Sequence, residues 1–474
     1  MERYSTLQQV QSALATGELT CCDLVNYFLA QIEASRHLNI YIEVYAEEAL
    51  AKAKVLDQKY ATSSTAVGRL FGMVIAIKDV ICYESHAVTA ASKILQGFVA
   101  PYSATAIERL LAEDAIIIGR ANCDEFAMGS TNENSYYGIT RNAADENKVP
   151  GGSSGASAVA VQAGTCIAAL GSDTGGSVRQ PAGLCGVVGM KPTYGRISRH
   201  GLIAYGSSFD QIGTLTNNVE DAALLLEIMA GADEFDSTAS QSPVPLYSER
   251  LKKTEKYKVA YFKSAVEHEK LDTEIQQRTF QFIQQLQKAG HQVEAIEFDY
   301  LDYLIPAYYV LTTAEASSNL SRYDGIRYGY RSPNASNLLE TYTKSRTEGF
   351  SLEVKRRIML GTFVLSAGYY EAYYTKAQQI RQLLWQRTKE IFNDFDFILM
   401  PVSPTTAWEI GKLSNDPVEM YLSDIFTVHA NMVGIPALAL PIGTHSNGLP
   451  IGVQLMANRF EEEKLLAMAY SIPI

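Results

Sequence analysis

The sequence predicts an α/β fold, and three observations carry that prediction. Phe71–Val80 (FGMVIAIKDV) and Ala115–Gly119 (AIIIG) are nearly continuous runs of strand-forming apolar residues, the pattern of strands buried on both faces. Between them Ala104–Ala112 (ATAIERLLA) has helical spacing, so strand, helix and strand succeed one another. A content of 47% hydrophobic and 19% charged residues matches a globular chain with a large core. At 474 residues it is long enough for two or three average domains or one unusually large one.

Taken in order, Thr6–Ser35 sets Leu7, Val10 and Leu14, then Leu24, Phe28 and Ile32, at helical spacing on either side of a break at Gly17. Ala46–Tyr60 predicts a third helix, with acids in its first turn and lysines later, as the helix dipole favours. These helices read as peripheral packing. Lys78 stands near the end of the first apolar strand. It is either just leaving the core or held inside it, where desolvation would lower its pKa and make it a base. A helical turn is predicted at Asp124–Gly129, a short strand at Gly186–Met190 and a helix at Val219–Met229. Asp233–Pro245 reads as a long surface loop, Lys258–Phe262 as a strand and Asp272–Ala289 as an amphipathic helix ended by Gly290. Gln292–Phe298 alternates like an exposed strand, and tyrosine-rich Leu301–Arg346 predicts loops and short helices around a pocket. Phe350–Asn393 is mostly helical, and Phe397–Met400, Ala437–Pro441 and Gly452–Leu455 are the last strands.

Several function classes are disfavoured. A net charge of -12, from 40 basic and 52 acidic side chains, repels phosphate backbones, so contact with RNA is expected through a partner. The N-terminal residues lack a signal-like apolar region, and Ala156–Leu170, with Ser157, Gln162 and Thr165, is too short and polar to span a bilayer. Six cysteines form no C-x-x-C pair and read as buried, reduced thiols. The expectation is a cytoplasmic protein without membrane contact. Neither H-E-x-x-H nor a phosphate loop is present, so no metal site and no cofactor are predicted in this chain.

The chemistry concentrates in two glycine-serine turns, Gly151-Gly152-Ser153-Ser154-Gly155 and Gly175-Gly176-Ser177, separated by small residues. The first matches the G-x-S-x-G nucleophile elbow, but that motif follows a strand, and the polar NAADENKVP before it ends in proline. None of the seven histidines stands in a catalytic context. A serine–lysine scheme remains. Ser177 closes the turn Thr174-Gly175-Gly176-Ser177, whose N–H groups can form an oxyanion hole. A neutral Lys78 could deprotonate Ser153, which in turn takes the proton of Ser177. The competing reading is two glycine-serine loops that only turn corners.

These residues carry a resemblance. Gly151–Ala158 (GGSSGASA), Gly171–Ala182 (GSDTGGSVRQPA) and the preceding Ala76-Ile77-Lys78-Asp79 resemble the amidase signature family, with Ala156 standing where that family usually has glycine. The resemblance implies one large α/β domain over 1–474, a mixed parallel and antiparallel sheet covered by helices. Within it, 1–60 would be peripheral helices, 61–232 the catalytic core, and 258–474 the substrate pocket and remaining sheet. It implies Ser177 as nucleophile, Ser153 as a bridging serine entered through a cis peptide, and Lys78 as base. Further stretches, among them EFAMGSTNENS (Glu125–Ser135), EVKRRIMLGTF (Glu353–Phe363) and YLSDIFTVHANMVGIPALALP (Tyr421–Pro441), are similar to the branch forming the A subunits of tRNA-dependent amidotransferases. That branch implies glutamine as substrate, with ammonia passed to a partner. Two companion subunits, of B and C type, would complete a heterotrimer that binds tRNA mainly through the partner. ATP and Mg would be used there, not here. By the same similarity Asp424 would meet the glutamine ammonium, Arg357 its carboxylate and Tyr308 would line the pocket, with Arg356 the neighbouring candidate for the arginine role. A stand-alone amidase acting on another amide and a non-enzymatic scaffold are the rival readings.

Overall fold

In the computed structural model, which describes residues 4–253, 255–412 and 417–472, the apolar runs become strands of one sheet. The strands are β1 (Tyr41–Val44), β2 (Val74–Lys78), β3 (Ile116–Ala121), β4 (Ala168–Asp173), β5 (Val188–Lys191), β6 (Gln211–Thr216), β7 (Lys258–Phe262), β8 (Gln292–Ile296), β9 (Phe397–Pro401), β10 (Ala437–Thr444) and β11 (Pro450–Ala457). Their order is β1-β3-β2-β4-β6-β5-β10-β11-β9-β7-β8. The sheet is mixed. Strand β2 runs parallel to β3 and β4, and β7 runs parallel to β8 and β9, whereas β4, β6, β5, β10, β11 and β9 pair antiparallel in succession. Strands β2, β3 and β4 are buried throughout, β2 and β3 as their apolar runs predict, and β4 although it ends in Gly171, Ser172 and Asp173. Edge strand β8 alternates exposed and covered residues over its first half.

The predicted helices recur with clear stops. Leu7–Thr16 ends on Gly17 in the left-handed region (φ 74°), and Cys21–Ala34 and Ala46–Thr62 follow. The helix Val219–Met229 has the predicted bounds, capped by Asn218. The segment from Ala156 to Leu170 divides into a helix, Gly155–Gln162, and the start of β4. Its small residues let the helix lie close on the sheet: a Cβ at Gly171 would crowd Ser154 and Val178. One prediction is corrected. The stretch from Leu301 to Arg346, predicted as loops and short helices, opens with a 19-residue helix, Leu301–Asn319, and ends in most of a second, Leu338–Gly349. Its tyrosines and threonines have low helix propensity, and burial against the helix Leu352–Val364 outweighs that preference. Residues 233–245 form neither helix nor strand, yet Arg196 ties them down through the carbonyls of Ser242 (3.0 Å) and Pro243 (2.8 Å). Among the described residues all six cysteines are free, and no helix is long and apolar enough to cross a membrane.

Candidate active site

Parallel β2 and β4 end side by side, so Lys78, the last residue of β2, lies against Ser172 near the end of β4. Lys78 is fully buried, and burial lowers its ammonium from 10.5 to about 8. Its Nζ bonds three hydroxyls: Ser153 Oγ at 2.7 Å, Ser154 Oγ at 2.9 Å and Ser172 Oγ at 3.0 Å. The strand end and the first glycine-serine turn are thereby joined, and the Gly152–Ser153 peptide is cis. Ser154 Oγ also donates to the Ser172 carbonyl (3.2 Å), so its proton is occupied. Ser153 Oγ bonds only Lys78 among the described residues. Gly152 N–H is held by Gln180 Oε1 at 2.9 Å, and Ser154 N–H donates to the Ser177 carbonyl at 3.1 Å, which stitches the two turns together.

The second turn wraps around a carboxylate. Asp173 alternates with Ser172 on β4 and so points to the opposite face. There it accepts Gly176 N–H (2.9 Å), Val178 N–H (3.1 Å) and Arg179 through Nε (3.1 Å) and Nη2 (3.0 Å). Burial would raise the Asp173 carboxyl, but Arg179 outweighs it and holds the group down to about 2. The sequence reading counts Gly176 among the oxyanion donors. Its N–H is instead committed to Asp173, whereas those of Thr174, Gly175 and Ser177 have no acceptor among the described residues. The Thr174 hydroxyl is spent on Asp210 (2.6 Å), and the Thr427 hydroxyl donates to the Gly175 carbonyl (2.7 Å). Thr427 fills the space a Cβ at Gly176 would need, at φ 127°. Ser177 is 8% exposed, and its Oγ has no hydrogen bond among the described residues.

Tyr308 closes this turn from the other side: its hydroxyl occupies the place of a Cβ at Gly175. The next residue, Tyr309, donates to Asp424 Oδ2 (3.2 Å), as does Ser130 Oγ (2.8 Å). Burial raises the Asp424 carboxyl to about 7. Arg357 lies 5.3 Å over the Tyr309 ring and 5.5 Å over Tyr421. Its Nε binds Glu353 (2.8 Å) and its Nη1 the Tyr205 hydroxyl (2.8 Å), while the buried Nη2 has no partner among the described residues. Arg356 faces outward and pairs with the other Glu353 oxygen. The structure thus brings Lys78 to Ser153, ties the following Ser154 to Ser177 through the backbone and sets Tyr308 against the same turn, with Asp424 and Arg357 about the adjacent Tyr309.

Sequence reasoning missed Ser154, Ser172, Ser130, Tyr309 and Thr427. Ser154 and Ser172 lie inside the quoted motifs, so proximity in the chain was the available signal. Ser130 and Thr427 stand in the quoted stretches Glu125–Ser135 and Tyr421–Pro441, far from the glycine-serine turns in sequence, and only tertiary folding brings them to the site. Among the histidines, His429 follows Asp424 in sequence but packs against Phe262 and Phe298 and bonds Thr388 (3.0 Å). The described residues hold no group of three or more His, Cys, Asp or Glu positioned for a metal ion.

The family described as Amidase matches residues 23–466. Over 468 residues the chain is 51% identical to the A subunit of glutamyl-tRNA(Gln) amidotransferase from Chlorobium phaeobacteroides strain DSM 266, with 98% of each chain covered. It is 48% identical over 469 residues to the protein of that name from Koribacter versatilis strain Ellin345, covering 98% of this chain and 97% of the other. Among solved structures, the A subunit of the Thermotoga maritima glutamyl-tRNA(Gln) amidotransferase is 39% identical with a TM-score of 0.77, covering 95% of this chain and 93% of that one. The peptide amidase of Stenotrophomonas maltophilia, 26% identical, has a TM-score of 0.82 over 98% and 96%. With a family match spanning most of its length around the two glycine-serine turns, the chain belongs to the amidase family.

Proposed function

We propose that the protein is the glutamine-hydrolysing subunit of a tRNA-dependent amidotransferase, releasing ammonia for conversion of Glu-tRNA(Gln), and of Asp-tRNA(Asn) where the cell makes it, to the amidated form. The observation that carries this reading is the opposed pair Arg357 and Asp424, both in contact with Tyr309, beside the turn that bears Ser177. Free glutamine has one α-carboxylate and one α-ammonium. The unpartnered Nη2 of Arg357 suits the first and the Asp424 carboxylate the second. Relatives bearing the amidotransferase name at 48–51% identity over nearly full length support the same assignment.

The steps follow from the hydrogen bonds. With Lys78 neutral, its two N–H groups hydrogen-bond Ser154 and Ser172 and its lone pair accepts from the Ser153 hydroxyl. Ser177 Oγ attacks the side-chain carbonyl carbon of glutamine. Its proton passes to Ser153 Oγ as the Ser153 proton passes to Lys78. The carbonyl oxygen gains negative charge, and the free N–H groups of Thr174, Gly175 and Ser177 are the donors available to it. The C–N bond then breaks, the departing nitrogen takes a proton from Ser153, which Lys78 replaces, and ammonia leaves a glutamyl ester on Ser177. Water, deprotonated by the same relay, cleaves the ester to glutamate. Ammonia passes to a companion of B type, which binds tRNA and uses ATP and Mg, with a C-type subunit completing a cytoplasmic heterotrimer.

The test is glutamine-dependent amidation of Glu-tRNA by the chain purified with its companions. Ser177→Ala is expected to abolish glutamine-dependent but not ammonia-dependent amidation; full glutaminase activity in that variant would sink the mechanism. A stand-alone amidase is separated by Arg357→Lys and Asp424→Asn. Each should weaken kcat/KM for glutamine by about 30-fold or more, Arg357→Lys by losing the bidentate fork and Asp424→Asn by leaving the ammonium unmatched, while hydrolysis of an uncharged amide is retained.

A further inference from the structure

The helix Leu352–Val364 has two unlike faces. Its inner face carries Val354, Arg357, Gly361 and Val364, all buried. Gly361 lies so close to the helix Leu301–Asn319 that a Cβ there would collide with the Thr313 carbonyl, so the helix is firmly seated. Its outer face carries Leu352, Met359 and Phe363, which recur seven and four residues apart along one stripe. They are 70%, 73% and 43% exposed. The stripe continues into a π-turn, Tyr370–Thr375, a rare conformation that is frequent at functional sites. Phe363 meets Tyr369 at 4.4 Å and Tyr373 at 5.8 Å between ring centroids. Tyr369, Tyr370 and Tyr373 are 41–44% exposed. From Ile358 to Thr375 the only charged residue is Glu371.

An exposed aromatic and Met surface of this density exceeds ordinary scattered apolar exposure. With about 150–250 Å² per large side chain, the six residues leave roughly 500–700 Å² open, close to one partner's share of a standard interface, about 800 Å². The enrichment in Tyr, Phe and Met is that of interface centres. The patch is also one helix diameter, about 10 Å, from the arginine offered to the glutamine carboxylate.

We infer that the outer face of Leu352–Val364 and the adjoining turn is the docking surface for the ammonia-receiving companion subunit. The inference rests on the subunit reading given above, and it deepens that reading by naming the surface. The companion presents an apolar face there, with acidic groups at the rim where Lys355 flanks the stripe. Docking seats the receiving subunit on the helix that holds the substrate.

The experiment measures assembly of the purified full chain with the purified B-type and C-type subunits from the same genome, by sedimentation and by titration. Met359→Glu with Phe363→Glu, and separately Tyr370→Glu, should weaken assembly by about tenfold or more. Leu338→Glu with Leu339→Glu, equally exposed but on a different helix, should leave it unchanged. Labelling of Ser177 by a reactive glutamine analogue reports that each variant is folded, and Met359→Ser with Phe363→Ser replaces any that is not. Wild-type assembly matched by the patch variants would overturn the inference and leave the subunit reading standing. So would a patch variant that dissociates only a homodimer. Wild-type chain that binds neither companion would overturn the subunit reading itself.

Discussion

In the proposed mechanism a single lysine sets the pH behaviour. Lys78 acts as a base only when neutral, and burial has brought its pKa to about 8, so kcat should rise with pH and level off above about 8. Asp424 must be ionised to bind an ammonium and lies at about 7 in the free protein. The profile of kcat/KM should therefore steepen below about pH 7, and Asp424→Asn should remove that second break while lowering the value throughout. Steady-state kinetics from about pH 6 to about pH 9 would check both limbs. The two readings left open for Lys78 by the sequence are separated by its three serine partners, which no pattern in β2 announces. Arg356 and Arg357 likewise differ only in which side of a helix each occupies. One is part-exposed and paired at the surface, the other is buried with a free Nη2.

At the scale of elements, helix contact fixes the residues proposed to hold the substrate. Tyr308 and Tyr309 lie on Leu301–Asn319 and Arg357 on Leu352–Val364, and the two helices meet closely at Gly361. Gly361→Ala would drive them apart by adding a methyl against the Thr313 carbonyl. It should cost about 1–3 kcal/mol in urea unfolding and raise KM for glutamine more than it lowers kcat. Local patterning predicted β2, β3 and Val219–Met229 because continuous apolar runs and capped periodic segments need no distant partner to be read. It failed at 301–346, where tertiary burial sustains a helix of tyrosines and threonines. It also passed over β1, β4 and β6, which are short or carry Gly, Ser and Thr, and hold their place through pairing on one or both sides.

Across the whole molecule, one buried ion pair ties distant parts of the chain to the site. Arg179 binds Asp173 of β4, Gln454 of β11 at 2.6 Å and Asn431 at 2.7 Å. Asp173→Ala would leave that guanidinium uncompensated and should destabilise the fold by about 3–5 kcal/mol. The carboxyl stands at about 2 against an ordinary 3.8, so its contribution is complete above about pH 4 and is lost as pH falls toward 2. The variant's loss of stability should shrink over that interval, as acid titrations of urea unfolding would reveal.

The sequence by itself determined the α/β class, the two glycine-serine turns and the small residues between them, because each depends on neighbours within a few residues; a scheme joining Lys78, Ser153 and Ser177 across about 100 positions came from resemblance rather than local pattern. The tertiary structure alone decided what surrounds those groups. It brought three serines to Lys78, committed Gly176 N–H to Asp173, and set Ser130, Tyr309 and Thr427 about the turn from far along the chain. The physical reason is that proton affinity, hydrogen-bond supply and close approach are properties of a packed environment, and that environment is built from contacts between residues far apart in the chain.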